Sequence, residues 1–137
     1  MDCIFCRIIA GDIPSHKVYE DDATLAFLDI NPASQGHAVV IPKEHAADLF
    51  SLSPDALAAT AKATQTVARL LQRGVHPEGI NILQNNGPSA GQSVFHYHVH
   101  VIPRWSGDRA LGMWKPGATD HAAFATLAAQ LRGGEGA

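Results

Sequence analysis

The segment "QSVFHYHVHVIPR", Gln92 to Arg104, limits the fold more than any other. Three histidines, His96, His98 and His100, stand two residues apart within an apolar run. Two is the period of a β-strand, so the three imidazoles share one face of a sheet, about 6.5–7 Å from one to the next. Phe95, Tyr97, Val99 and Val101 fall on the opposite face and are expected to look into a core. Such a strand needs an apolar layer on one side and carries a chemically active row on the other. An unpaired buried histidine is costly, and a merely solvated face would more naturally carry Lys, Glu or Thr.

A layer for the apolar side is written between residues 54 and 73. Ser53 is a good N-cap, Pro54 suits the first helical position, and Asp55 complements the positive end of the helix dipole. Leu57, Ala61, Thr64, Val67, Ala68 and Leu71 then recur at helical spacing, with Gly74 as the expected stop. Four further strands precede the histidine strand, in "KVYE", "TLAFLDI", "HAVVIP" and "GINILQNN". "CIFCRIIA" reads as a two-turn helix ended by Gly11, and a last helix is expected over about 120–132. Strands adjacent in sequence with one long helix indicate an α+β fold with an antiparallel sheet of about five strands and short terminal helices. The 137 residues suit a single domain, residues 1–137, with its core over about 3–116 and a frayed tail at 133–137.

Composition removes several functions. A net charge of −3 gives no basic field to draw the chain to nucleic acid or to an anionic membrane. No apolar run approaches the roughly 18 residues of a membrane span, and "MDCIFCRIIAGD" lacks the marks of a signal peptide. The chain is therefore expected in the cytoplasm. Eight histidines are unusual for this length. Of these, His16, His76 and His121 sit in loop or terminal contexts and are expected to be plain surface residues. Trp105 and Trp114 follow the histidine strand, and packing is their default role.

Two chemistries fit the histidine row. All three imidazoles could hold one metal ion, although spanning three successive same-face positions strains that geometry. Alternatively the work is divided, with one histidine as nucleophile or base, one tuning it, and one serving a separate site. A neutral imidazole is a good nucleophile toward phosphorus, and the phosphoryl-histidine formed is reactive enough to hydrolyse. The preceding "NNGPSAGQS" favours phosphorus, because it offers backbone N–H groups and side-chain donors to phosphate oxygens. The N-terminal "CIFC", with Cys3 and Cys6, admits a redox pair, two structural thiols, or half of a tetrahedral zinc site needing two more ligands.

"HYHVHVI" and the longer stretch "IFCRIIAGDIPSHKVYEDDATLAFLDINPASQGHAVVIPKEH" resemble the histidine triad (HIT) family of nucleotide hydrolases and transferases, in its purine nucleoside phosphoramidase-like branch. The resemblance runs from residue 3 to about 116. It implies that His98 is the nucleophile on the α-phosphorus, forming a nucleotidyl-histidine that water resolves. His100 would contact the phosphate, His37 would support the triad, and Ser93 and Gln92 would hold phosphate oxygens and the leaving group. Asn85 would also face the phosphate. Asp29 would accept both ribose hydroxyls, as a carboxylate can. Phe5, Ile8, Phe27, Leu28, Ile30 and Val39 would form the slot for the base. Cys3, Cys6, His45 and His96 would bind a structural zinc, with no catalytic metal. A small nucleotide of AMP or GMP type is the implied ligand. A homodimer with helix 54–73 at its interface is the implied assembly. The implied activity is hydrolysis of nucleoside 5′-monophosphate derivatives such as phosphoramidates. A diadenosine polyphosphate hydrolase and a non-catalytic nucleotide- or partner-binding module are the alternatives.

Overall fold

The computed structural model describes residues 2–133. Helix α1 (Ile4–Ala10) is followed by strands β1 (Lys17–Glu20), β2 (Thr24–Leu28) and β3 (Ala38–Pro42), and then by the long helix α2 (Pro54–Val75). Strands β4 (Gly79–Leu83) and β5 (Val99–Arg104) come next, and helix α3 (His121–Gly133) closes the described chain. The five strands form one sheet in the order β1-β2-β3-β5-β4, with every neighbouring pair antiparallel. The α+β expectation therefore holds. Among the described residues no helix is long and apolar enough to cross a membrane. Residues 134–137 of the expected tail lie outside the described residues.

Alternation in the central strands sends side chains to two separate cores. Ala26, Ala38, Val40, Val99 and Val101 meet Ala63, Val67 and Leu71 of α2 on one face. Leu25, Phe27, Val39 and Ile41 meet Phe5 and Ile8 of α1 on the other. The small residues on the first face let α2 approach closely, and a fully buried side chain such as Val67 contributes about 1.5–3 kcal/mol. Gly36 serves the same approach. Its φ is +85°, and a Cβ there would stand 3.2 Å from the Leu71 Cδ2.

Helix α2 starts as expected, with the Ser53 hydroxyl accepting from the Ala56 N–H at 3.2 Å. Its stop differs. Gly74 lies inside the helix, which runs to Val75 and ends at His76 in the left-handed conformation, φ 52°. Pro77, with no N–H to donate, follows directly. The buried stripe is also turned slightly from the one read in the sequence. Leu57 and Ala61 are exposed, while Ala56, Thr60 and Ala63 are buried. Thr60 and Thr64 tolerate burial because their hydroxyls donate back to the carbonyls of Ala56 and Thr60, at 2.7 and 2.8 Å.

The histidine strand is shorter than its pattern. Pairing between β3 and β5 reaches only Val40–Val99. Farther along β3 stands Pro42, which has no N–H for a ladder, and its carbonyl accepts instead from the His96 ring at 2.8 Å. Residues 94–96 bend. Tyr97, Val99 and Val101 face the α2 core as expected, but the bend turns Phe95 outward, leaving it 49% exposed. Beyond β5, Trp105 is held by its indole N–H on the His76 carbonyl, whereas Trp114 is exposed rather than packed. Helix α3 buries none of its residues.

Candidate active site and metal centre

The sheet face that carries His98 and His100 is the face covered by α1, and a cleft of about 380 Å³ opens between them. His98 sits in its wall, 7% exposed. Its Nδ1–H donates to the carbonyl of His96 at 2.7 Å. That bond fixes the tautomer and leaves the Nε2 lone pair as the reactive end of the ring. The rings of Phe5 and His100 meet the imidazole edge-on, with centroids at 5.2 and 5.0 Å, and hold its orientation.

His100 and His37 form a relay. The Ala33 N–H donates to His37 Nδ1 at 2.9 Å, so neutral His37 carries its proton on Nε2. His37 Nε2 lies 2.9 Å from His100 Nδ1 and donates to it, which places the remaining proton of His100 on Nε2. Both rings are held neutral. Burial lowers the His37 pKa below 6.5, opposed by the charge of Asp29. Burial, then His98 and His37, push His100 down to about 4. Asp29 closes the group, with Oδ2 at 3.5 Å from His37 Nε2 and Oδ1 accepting from the Asn31 N–H at 2.8 Å. Asp29, His37 and His100 could between them offer atoms to an ion. The 2.9 Å N···N separation of the two rings, however, is that of an N–H···N hydrogen bond.

The glycine-bearing loop supplies the other wall. Ser93 and Gly91 line the cleft. Gly91 has φ +97°, and a Cβ there would press on the Asn85 amide at 3.3 Å. Asn85 thus backs the loop behind Gly91 and is not itself in the lining. Gln92 departs from expectation. It is buried, its Oε1 accepts from the Gly87 N–H at 2.7 Å, and its Nε2 donates to the carbonyls of Ala47 and Val94 at 2.6 and 3.1 Å. All of its strong polar capacity goes to shaping the loop, and none is turned to the cleft.

Phe5, Ile8, Phe27, Leu28, Ile30 and Val39 all line the cleft, as does Asp29. Sequence reading missed Ile4, Ile13, Pro14, Ser15, Asn31 and Val94. The one signal for Ile4 was its place one residue before Phe5 on a short helix whose cleft face carries residues 4, 5 and 8. Ile13, Pro14 and Ser15 lie in an irregular connection where no periodicity points at a cleft.

Beside His98 a second cluster joins α1 to the sheet. Cys3, Cys6, His45 and His96 each offer one ligand atom within 4.8 Å of the others. His45 Nδ1 and His96 Nδ1 are 3.1 Å apart, Cys6 Sγ is 3.3 and 3.6 Å from them, and Cys3 Sγ is 3.5 Å from His96 Nδ1. Tetrahedral bonds of about 2.3 Å to sulfur and about 2.0–2.1 Å to nitrogen separate ligand atoms by roughly 3.3–3.8 Å. His96 Nε2 already donates to the Pro42 carbonyl, so its Nδ1 faces the cluster as a bare lone pair. Burial, helped by Cys3, raises the Cys6 thiol, and burial lowers His96. The donor set and spacing fit a closed tetrahedral metal with no open position. A metal there would reverse the rise at Cys6 by binding its thiolate.

A family model described as HIT domain matches residues 10–107, which include both the cleft histidines and His45. This chain belongs to the HIT family. Its HIT fold is also that of solved members. A crystal structure of a HIT family protein from Bacillus subtilis aligns over 100% of this chain and 99% of its own, with TM-score 0.93 and 41% identity. A zinc-bound histidine triad family protein from Mycobacterium smegmatis aligns over 98% and 99%, with TM-score 0.77 and 41% identity. Adenosine 5′-monophosphoramidase hnt1 of Schizosaccharomyces pombe is 47% identical over 85% of this HIT chain and 84% of its own length.

Proposed function

We propose that this HIT-family chain is a nucleotide hydrolase that cleaves nucleoside 5′-monophosphate derivatives of the phosphoramidate type through a covalent nucleotidyl-His98. The observation that carries this reading is the His98 Nδ1–H on the His96 carbonyl, which commits Nε2 to attack from the wall of a nucleotide-sized cleft. The Nε2 lone pair forms a bond to the α-phosphorus as the phosphorus–nitrogen bond to the amine breaks. The amine leaves with a proton passed on by the Ser93 hydroxyl from water. Water then attacks phosphorus and gives up a proton to the hydroxide left by the first step, the Nε2–phosphorus bond breaks, and AMP and neutral His98 are released. His100 donates its Nε2–H to a phosphate oxygen, held to that task by His37. Asp29 accepts the ribose hydroxyls, and the slot of Phe5, Ile8, Phe27, Leu28, Ile30 and Val39 takes the base. Gln92 and Asn85 act through the loop they brace.

Cys3, Cys6, His45 and His96 hold a structural zinc, which pins α1 and leaves catalysis to the imidazoles. The chain acts in the cytoplasm as one domain and pairs into a homodimer. Half-exposed Leu57 and Leu70 on α2, and Ile82 and Leu83 on the edge strand β4, support that pairing. A single apolar slot suits one nucleoside better than the two of a dinucleoside polyphosphate.

The test is brief exposure of the protein to an adenosine 5′-phosphoramidate, acid-free quenching and mapping of the adenylylated residue by mass spectrometry. An adduct on His98, with turnover abolished but AMP binding kept in His98→Ala, is expected. Turnover surviving in His98→Ala would overturn the mechanism.

A further inference from the structure

"CIFC" can serve as a redox pair or as half of a zinc site, and the fold makes both uses compete for the same two sulfurs. Cys3 is the N-cap of α1 and Cys6 lies in its first turn, with the Cys6 N–H donating to Cys3 Sγ at 3.4 Å. The two sulfurs stand within 4.8 Å of each other. A C-x-x-C pair at a helix N-terminus has the spacing at which a disulfide closes within one turn. Both residues are half-buried thiols. Cys3 and His45 also line a hollow of about 450 Å³ that opens to solvent, which gives a small oxidant access to Cys3.

We propose that Cys3 and Cys6 are a site of reversible oxidation, where a peroxide forms a disulfide that cuts the tie between α1 and the sheet. The inference rests on the zinc reading and adds a second state to it. The Cys3 thiolate attacks one peroxide oxygen, an S–O bond forms, the O–O bond breaks and hydroxide leaves. The Cys6 thiolate then attacks the Cys3 sulfur, the S–S bond forms, the S–O bond breaks and a second hydroxide leaves. Two thiolates have lost two electrons, and the peroxide has become two hydroxides. Topology gives this exchange its consequence. A metal held by Cys3, Cys6, His45 and His96 joins α1 to the segment after β3 and to the approach to β5. A Cys3–Cys6 disulfide joins α1 only to itself, and it withdraws two of the four ligands, so the metal leaves. Helix α1 has seven residues, too few to persist alone. Its remaining hold is chiefly the packing of Phe5 and Ile8 on Leu25, Phe27, Val39 and Ile41. Phe5 and Ile8 also line the nucleotide cleft, and the Phe5 ring meets that of His98. Loosening α1 therefore weakens nucleotide binding.

The test treats the zinc-loaded protein with a small excess of hydrogen peroxide. Released zinc is read with a chromogenic chelator, the Cys3–Cys6 disulfide by peptide mass spectrometry, and AMP affinity by calorimetry. About one zinc ion should leave per disulfide formed. AMP should then bind about three- to tenfold more weakly, as for a cleft assembled about a tenth to a third of the time. Dithiothreitol with added zinc should restore both. Circular dichroism of the oxidised protein should keep its sheet signal, and loss of that signal overturns a local switch in favour of unfolding. Zinc retained after peroxide, sulfurs carried to sulfinic acid with no disulfide, or a disulfide that leaves AMP affinity unchanged each overturn it as well. A protein that takes up no zinc before peroxide is added refutes the zinc reading itself, and the switch falls with it.

Discussion

His100 ties the stability of the protein to pH in a way that can be worked through. Its side chain is 19% exposed, and its pKa falls from 6.5 to about 4 in the folded chain. As pH drops below 6.5, the unfolded chain takes up a proton that the folded chain refuses until pH nears 4. The contribution of neutral His100 is thus complete above the unfolded value and is lost progressively between 6.5 and about 4. The full interval corresponds to about 3 kcal/mol, of which about 2 kcal/mol is lost between about pH 7.5 and about pH 5. His37 and His96, also lowered by burial, act in the same direction and must be separated from it. His100→Asn does so, since asparagine keeps an acceptor for the His37 Nε2–H but cannot titrate. Urea unfolding of both proteins, loaded alike with metal, at about pH 7.5 and about pH 5 gives the double difference. It should show the variant losing about 2 kcal/mol less than the native protein, and no less than about 1 kcal/mol after the neighbouring imidazoles readjust. Parallel pH dependences in the two proteins would refute a buried neutral His100.

Three further outcomes are expected. Replacing Cys6 by Ser or His45 by Ala should lower bound zinc, measured by elemental mass spectrometry after dialysis, from about one per chain to near zero, with a fall in the thermal midpoint. Gln92→Ala should destabilise by about 1–3 kcal/mol in denaturant, because the Gly87 N–H and the Ala47 carbonyl lose their partner. The same variant should weaken AMP binding while His98 can still be labelled. His76→Gly should stabilise by up to about 1 kcal/mol in the same assay, since φ 52° strains a residue with a Cβ.

Much of the architecture is local and could be read from the chain alone. Period two in "HYHVHV" and period 3.6 after Ser53 each depend only on neighbours in sequence; the helix formed from Pro54 as read, and the strand formed from Val99 onward. The apolar side of the histidine strand called for one covering layer, and α2 supplies it; that α1 covers the other face was found only in the folded chain. The pattern overreached where a partner strand was needed. Residues 92–98 carry strand alternation, but Pro42 cannot extend the ladder to meet them, and so Phe95 turned outward. Gln92 looked like a ligand because its amide suits phosphate, yet the folded loop gave that amide three backbone partners.

Only the tertiary structure decided which proton sits on which ring. The tautomers of His98, His37 and His100 follow from the His96 carbonyl, the Ala33 N–H and a contact between residues 63 apart in sequence. The same holds for Cys3 meeting His96 across 93 positions. Residue types and spacing settle what an imidazole or thiol can do. Which lone pair remains unshared depends on atoms brought close by folding, and those distances are not written in any local stretch of the chain.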